Sequence, residues 1–245
     1  MLANNHVIQK EPSLSRKTPQ LLLMVLIATF LILFPFNLFA HGVDENTRNF
    51  LQNNTGVQFI AFMYIGAKHM ITGYDHLLFL IGVIFFLYKS KDIILYVSLF
   101  TLGHSLTLLT GVLFDLQVNA YLIDAIIGLS VVYKGFDNLG GFKRAIGYNP
   151  NPKVAVLIFG LFHGLGLATK IQEFQLPADG LFTNLIAFNI GVEIGQFTAL
   201  AFILLVMSFW RKHPTFNRFS SITNTLLMSA GFMLIGFQLT GYVIN

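Results

Sequence analysis

Apolar residues dominate this chain from residue 57 onward, in runs too long and too uniform for the half-buried helices of a soluble domain. A helix that crosses a bilayer needs about 20 predominantly apolar residues. Six runs approach or exceed that length, at roughly 57–88, 92–114, 119–137, 153–170, 181–209 and 220–243. The first is too long for one simple crossing and contains Gly66 and Gly73, so it predicts an interfacial or tilted first half and a spanning second half. Pro150, Pro152, Pro177 and Pro214 fall between the runs, where connections tolerate proline. One more apolar run, residues 21–40, follows a polar segment carrying Lys10, Arg16 and Lys17. This order reads as a signal peptide cleaved after Ala40 or, if retained, as an N-terminal transmembrane helix. The expected organisation is residues 1–40 as that leader or anchor and residues 41–245 as one membrane domain. Its fold class is all-α, a polytopic membrane helix bundle with about six transmembrane helices.

Composition agrees with this pattern. Of 245 residues, 55% are hydrophobic and 11% charged, against about 25% charged in soluble domains. Three connections are basic, with Lys89 and Lys91, then Lys143, Arg144 and Lys153, then Arg211, Lys212 and Arg218. They alternate with connections holding only Arg48, only Lys170, or no basic residue at 115–119. The positive-inside rule therefore puts the basic loops in the cytoplasm, and segment 41–56 and the C-terminus outside a bacterial inner membrane. Because the net charge of +4 is spread over short loops, it does not suggest a nucleic-acid partner. The absence of cysteine excludes disulfides and thiolate metal ligands.

Five ionisable residues sit where the runs should be crossing the bilayer: Asp75, His76, His104, His163 and Glu193. Such groups cost roughly 2.5–3.5 kcal/mol each at mid-bilayer on insertion scales and persist where they have a task. The histidines and Glu193 sit some ten to twelve residues from the nearest span end, which at about 1.5 Å per residue brings all four to one level. Imidazoles and carboxylates together suit a first-row transition metal. His69, Thr72 and His76 follow i, i+3, i+7 and share a face if the helix continues through Gly73, with His69 nearer the outer surface. The candidate metal ligands are therefore His76, His104, His163, Glu193, Asp75 and His69. Ser105 lies in a polar stripe beside His104. Asn189 and Gln196 share a helix face with Glu193, and Asp124 lies near the outer end of its run; these four are assigned to the ion's path or to support of the ligands. The Phe and Leu stripes between them read as core filler or lipid-facing surface. An internal echo, F-x-L-x-H-x-L-x-L, occurs at 100–108 and again at 159–167, as in a parallel repeat of two-helix units.

Four segments carry a family resemblance: His69-Met-Ile-Thr-Gly-Tyr-Asp75-His76, the Phe100–Leu108 block, Phe159–Ala168 and Phe188-Asn-Ile-Gly-Val-Glu193-Ile-Gly-Gln196. Together they resemble the HupE/UreJ family of nickel or cobalt permeases associated with hydrogenase and urease maturation. The likeness implies an inner-membrane permease for Ni²⁺ or Co²⁺, with the ion as substrate at a midplane His/Asp/Glu site. No nucleotide-binding motif is present, so movement is expected to couple to an ion gradient, the membrane potential or protons. A second reading is an intramembrane zinc-dependent hydrolase, with three histidines on Zn²⁺ and Glu193 or Asp75 as general base. A third is an accessory membrane subunit with a buried polar network. The expected partners are the lipid bilayer and the metal ion, while a homo-oligomer and metalloenzyme-maturation proteins stay open.

Overall fold

The first apolar run breaks at a single residue. The computed structural model describes residues 55–173 and 178–244. In it, α1 (Phe59–Thr72) and α2 (Tyr74–Ile84) are separated only by Gly73, at φ −73° and ψ 103°. Extended backbone at Gly73 interrupts the helical hydrogen-bond ladder, and the Gly73 amide closes α1 by donating to the His69 carbonyl at 2.9 Å. Gly66 does not interrupt α1. The expectation of a spanning second half is corrected, because the 11 residues of α2 cover about 16 Å at 1.5 Å per residue. The hydrocarbon core is about 30 Å thick, so α1 and α2 form a broken pair of which neither half crosses alone.

Beyond them lie α3 (Ser90–Leu113), α4 (Ala120–Asn138), α5 (Gly141–Ile146), α6 (Pro152–Glu173), α7 (Leu181–Arg211) and α8 (Thr215–Ile244). There is no strand among the described residues. Helices α3, α6, α7 and α8 are long and apolar enough to cross a membrane. Helix α4 has 19 residues but carries Asp124, Lys134 and Asp137. Its start is fixed by Asn119, whose side chain accepts from the Leu122 amide at 3.1 Å. Helix α6 opens on Pro152, a residue suited to the first turn because it has no amide to satisfy. Backbone contacts group Ala40–Asn245 as one unit, to which all the described residues belong. The leader or anchor expected at 1–40, and most of segment 41–56, lie outside the described residues.

Glycines set three close helix pairs. A Cβ on Gly160 would collide with the Phe100 carbonyl, one on Gly164 with the His104 carbonyl, and one on Gly111 would lie 2.6 Å from the Ala168 Cβ. The partner numbers rise together, so α3 and α6 run parallel with the two halves of the F-x-L-x-H echo side by side. Glycines 66, 191 and 195 bring α1 and α7 together in the same way, against Phe188, Met63 and Ala67, also parallel. Gly128 and Gly135 meet α8 near Gly231 and Asn224 respectively, so α4 and α8 are antiparallel. Small residues let backbones approach where lipid offers no hydrophobic drive for helices to associate.

Candidate intramembrane histidine site

These pairings carry imidazoles from four helices into one place. His76 opens α2, His104 lies midway along α3 and His163 midway along α6. Their relative exposures of 1%, 0% and 0% seal them from the surface. The His76 ring centre is 5.1 Å from that of His163 and 6.1 Å from that of His104. His69, half-buried at the end of α1, comes within 5.1 Å of His76. In a continuous helix, residues seven apart would be separated by about 10 Å along the axis. The break at Gly73 lets the two rings meet, so His69 belongs to the cluster rather than to a separate outer position.

Local hydrogen bonds fix the tautomers of two rings. His76 Nδ1 is 3.1 Å from Asp75 Oδ1, and His163 Nδ1 is 2.7 Å from the Phe159 carbonyl oxygen. Both oxygens accept, so Nδ1–H donates in each case and the lone pair is left on Nε2. Metal-binding histidines are oriented in this way by a carboxylate or carbonyl behind the ring. Gly73 supports the arrangement, because a Cβ there would stand 2.8 Å from His76 Nδ1. Among the described residues, no three His, Asp or Glu side chains have donor atoms gathered closely enough to hold a metal ion.

Phenylalanine walls the cluster. Phe79 and Phe100 lie 5.2 Å apart, at 5.4 and 5.0 Å from His163. Phe100 also packs on His76 and His104 at 6.4 and 6.1 Å. Both belong to the hydrophobic core, as the filler reading expected, and within it they pack against the histidine rings. Beside them a small void, with room for about one water, is lined by Met70, His76, Phe79, Leu80, Val83, Tyr96, Val97, Phe100, Val156 and Gln196.

The remaining candidates divide. Gln196 is buried, and its Oε1 accepts from the Thr101 hydroxyl at 2.8 Å, tying α7 to α3. Asn189 is buried one face-turn away, with its amide donating to the Leu185 carbonyl at 3.2 Å. Ser105 is half-buried. Asp124 is buried and ion-paired to Lys170 at 2.7 Å, with Gln238 at 3.3 Å. Sequence reasoning left Lys170 as an outer-loop charge. Its position at the same end of the bundle as Asp124 was the signal that pairs them.

Glu193 is the departure, because it is exposed on the outside of α7. It lies about 100° around the helix from Val192, a residue 1% exposed and central to the buried face. Asn189 and Gln196 fall on the near edge of that face and Glu193 just beyond it. The structure does not bring Glu193 to the histidines.

Fold and site together define a multi-pass membrane protein with a sealed histidine cluster. The sequence profile described as HupE / UreJ protein matches residues 45–245, and the chain belongs to that family. The family is associated with nickel and cobalt transport and points to a transporter rather than an enzyme. No curated protein and no solved structure matches the chain.

Proposed function

We propose that this protein is an inner-membrane permease for a divalent transition metal, Ni²⁺ or Co²⁺, bound in transit by His76, His104 and His163 with His69 alongside. The observation that carries this reading is the meeting of four buried or half-buried imidazoles from four helices. At metal–nitrogen distances of about 2.1 Å, imidazoles sharing one ion hold their ring centres roughly 5 Å apart. The His69–His76 and His76–His163 spacings of 5.1 Å match that requirement. The His76–His104 spacing of 6.1 Å exceeds it by about 1 Å, so a bound ion would have to draw these two rings together. A site that must release its ion gains from not being fully preassembled, since conduction needs binding weak enough to leave. Asp75 balances charge and orients His76.

The hydrolase reading loses one of its two candidate bases, because Glu193 faces away from the cluster. Uptake of radioactive Ni²⁺ and Co²⁺ by cells expressing His76→Ala or His104→Ala is the deciding measurement. Both variants are expected to lose accumulation while reaching the membrane at normal levels. Undiminished accumulation in both would discard the permease reading.

A further inference from the structure

Resting on that permease reading, we propose that Arg211 is a positioning residue for His76: with Asn138, it holds the far end of α2, the half-helix that carries the ring. The last carbonyls of a helix have no partner within it, and a buried carbonyl left unpaired is costly. The C-terminal end of α2 is buried, with Ile84 0% and Phe85 1% exposed. Side chains from two other helices meet its carbonyls. Arg211, the last residue of α7, donates through Nη2 to the Ile84 carbonyl and, at 2.9 Å, to the Phe85 carbonyl. The Ile84 carbonyl also accepts from the Leu87 amide at 3.0 Å. Asn138, the last residue of α4, donates to the Gly82 carbonyl at 2.8 Å and to Asn224 Oδ1 of α8, also at 2.8 Å. A cation at a helix C-terminus also suits the helix dipole.

Aromatic rings pack around this tie. The Arg211 guanidinium lies over the Tyr88 ring at 4.7 Å. Phe85, Trp210 and Phe216 close a triangle, with ring centres 5.8, 5.5 and 5.0 Å apart. At the other end of α2, extended backbone at Gly73 breaks the helical ladder, so α1 does not impose its own rotation on α2. The 11 residues of α2 form a rod of about 16 Å. What holds one end of a short rod sets the tilt and rotation of the other, and His76 stands on the first turn. Its ring centre is 5.1 Å from that of His163 and 6.1 Å from that of His104. A small rotation of α2 therefore changes which rings one ion can bridge.

The full-length protein tests this directly. The chain contains no cysteine, so nitroxide labels on introduced cysteines report without background. Tyr74→Cys labels the turn that carries His76, and Leu102→Cys labels α3 at a position 62% exposed. In metal-free protein, adding Arg211→Gln or Asn138→Ala is expected to shift or broaden the pulsed-EPR distance between the two labels. An unchanged distance in both variants overturns the proposal. In equilibrium dialysis, Arg211→Gln is expected to weaken Ni²⁺ binding by about tenfold. In a His76→Ala background the same change is expected to add no further loss. An equal loss in both backgrounds means that Arg211 acts on the fold at large and overturns its action through His76. A parent protein that binds neither Ni²⁺ nor Co²⁺ overturns the permease reading, and the metal-free distance then decides the role of Arg211 by itself.

Discussion

Asp75 and His76 are neighbours in the sequence, and the structure turns that adjacency into an oriented ring. A carboxylate behind Nδ1 fixes which nitrogen carries the lone pair, a choice the imidazole cannot make alone. Removing the carboxylate in Asp75→Ala is expected to weaken Ni²⁺ or Co²⁺ binding by about 10–100-fold, read by equilibrium dialysis of the detergent-solubilised protein. Affinity equal to the parent's would remove the orienting role. Much at this scale was legible in the sequence, since an ionisable group in a twenty-residue apolar run announces itself. What could not be read was direction. Asn189, Glu193 and Gln196 share a nominal stripe, yet 60° of helix rotation separates a buried amide from an exposed carboxylate. Only the packing of α7 on α1, through Gly191 and Gly195, settles which edge is inside.

At the scale of elements, the break at Gly73 matters most. A helix continuing through that position would leave His69 and His76 about 10 Å apart along the axis. One extended residue closes their rings to 5.1 Å. The sequence pointed to the place, because glycine is a poor helix former, but pointed equally to Gly66. The difference is tertiary: Gly66 is pressed against the Phe188 backbone and serves packing, while Gly73 faces the His76 ring. Gly73→Ala is expected to cut metal uptake sharply while the protein still reaches the membrane, because its Cβ displaces His76. Normal uptake in this variant would show that the ring can move without cost. The F-x-L-x-H echo behaves similarly. It was legible as a short match, and its meaning came from α3 and α6 lying parallel in one register.

Among the described residues, three glycine-set pairs and the buried Lys170–Asp124 ion pair hold the helices at working distance. Lys170 on α6 and Asp124 on α4 are 2.7 Å apart with little exposure. Breaking a buried pair from one side costs about 3–5 kcal/mol. Lys170→Met should therefore lower the melting temperature in detergent markedly, and adding Asp124→Asn should recover part of the loss. If the single variant melts like the parent, the pair is not a structural tie. The orientation inferred from Lys and Arg placement belongs to this scale as well. An alkaline phosphatase fused after Asn245 is expected to be active and a cytoplasmic reporter inactive, and the reverse result would overturn the inferred orientation.

Hydropathy and helical rise act along the chain, so the sequence by itself determined a membrane helix bundle and the approximate places of its four long apolar helices. It also carried the family, because the motif residues sit at fixed spacings. Tertiary structure decided which rings meet, which carboxylate faces outward, which lysine neutralises Asp124, and that Phe79 and Phe100 pack against the histidine rings. Those facts depend on how each helix is rotated about its own axis. That rotation is set by contacts between residues far apart in sequence, which periodicity within one helix cannot encode.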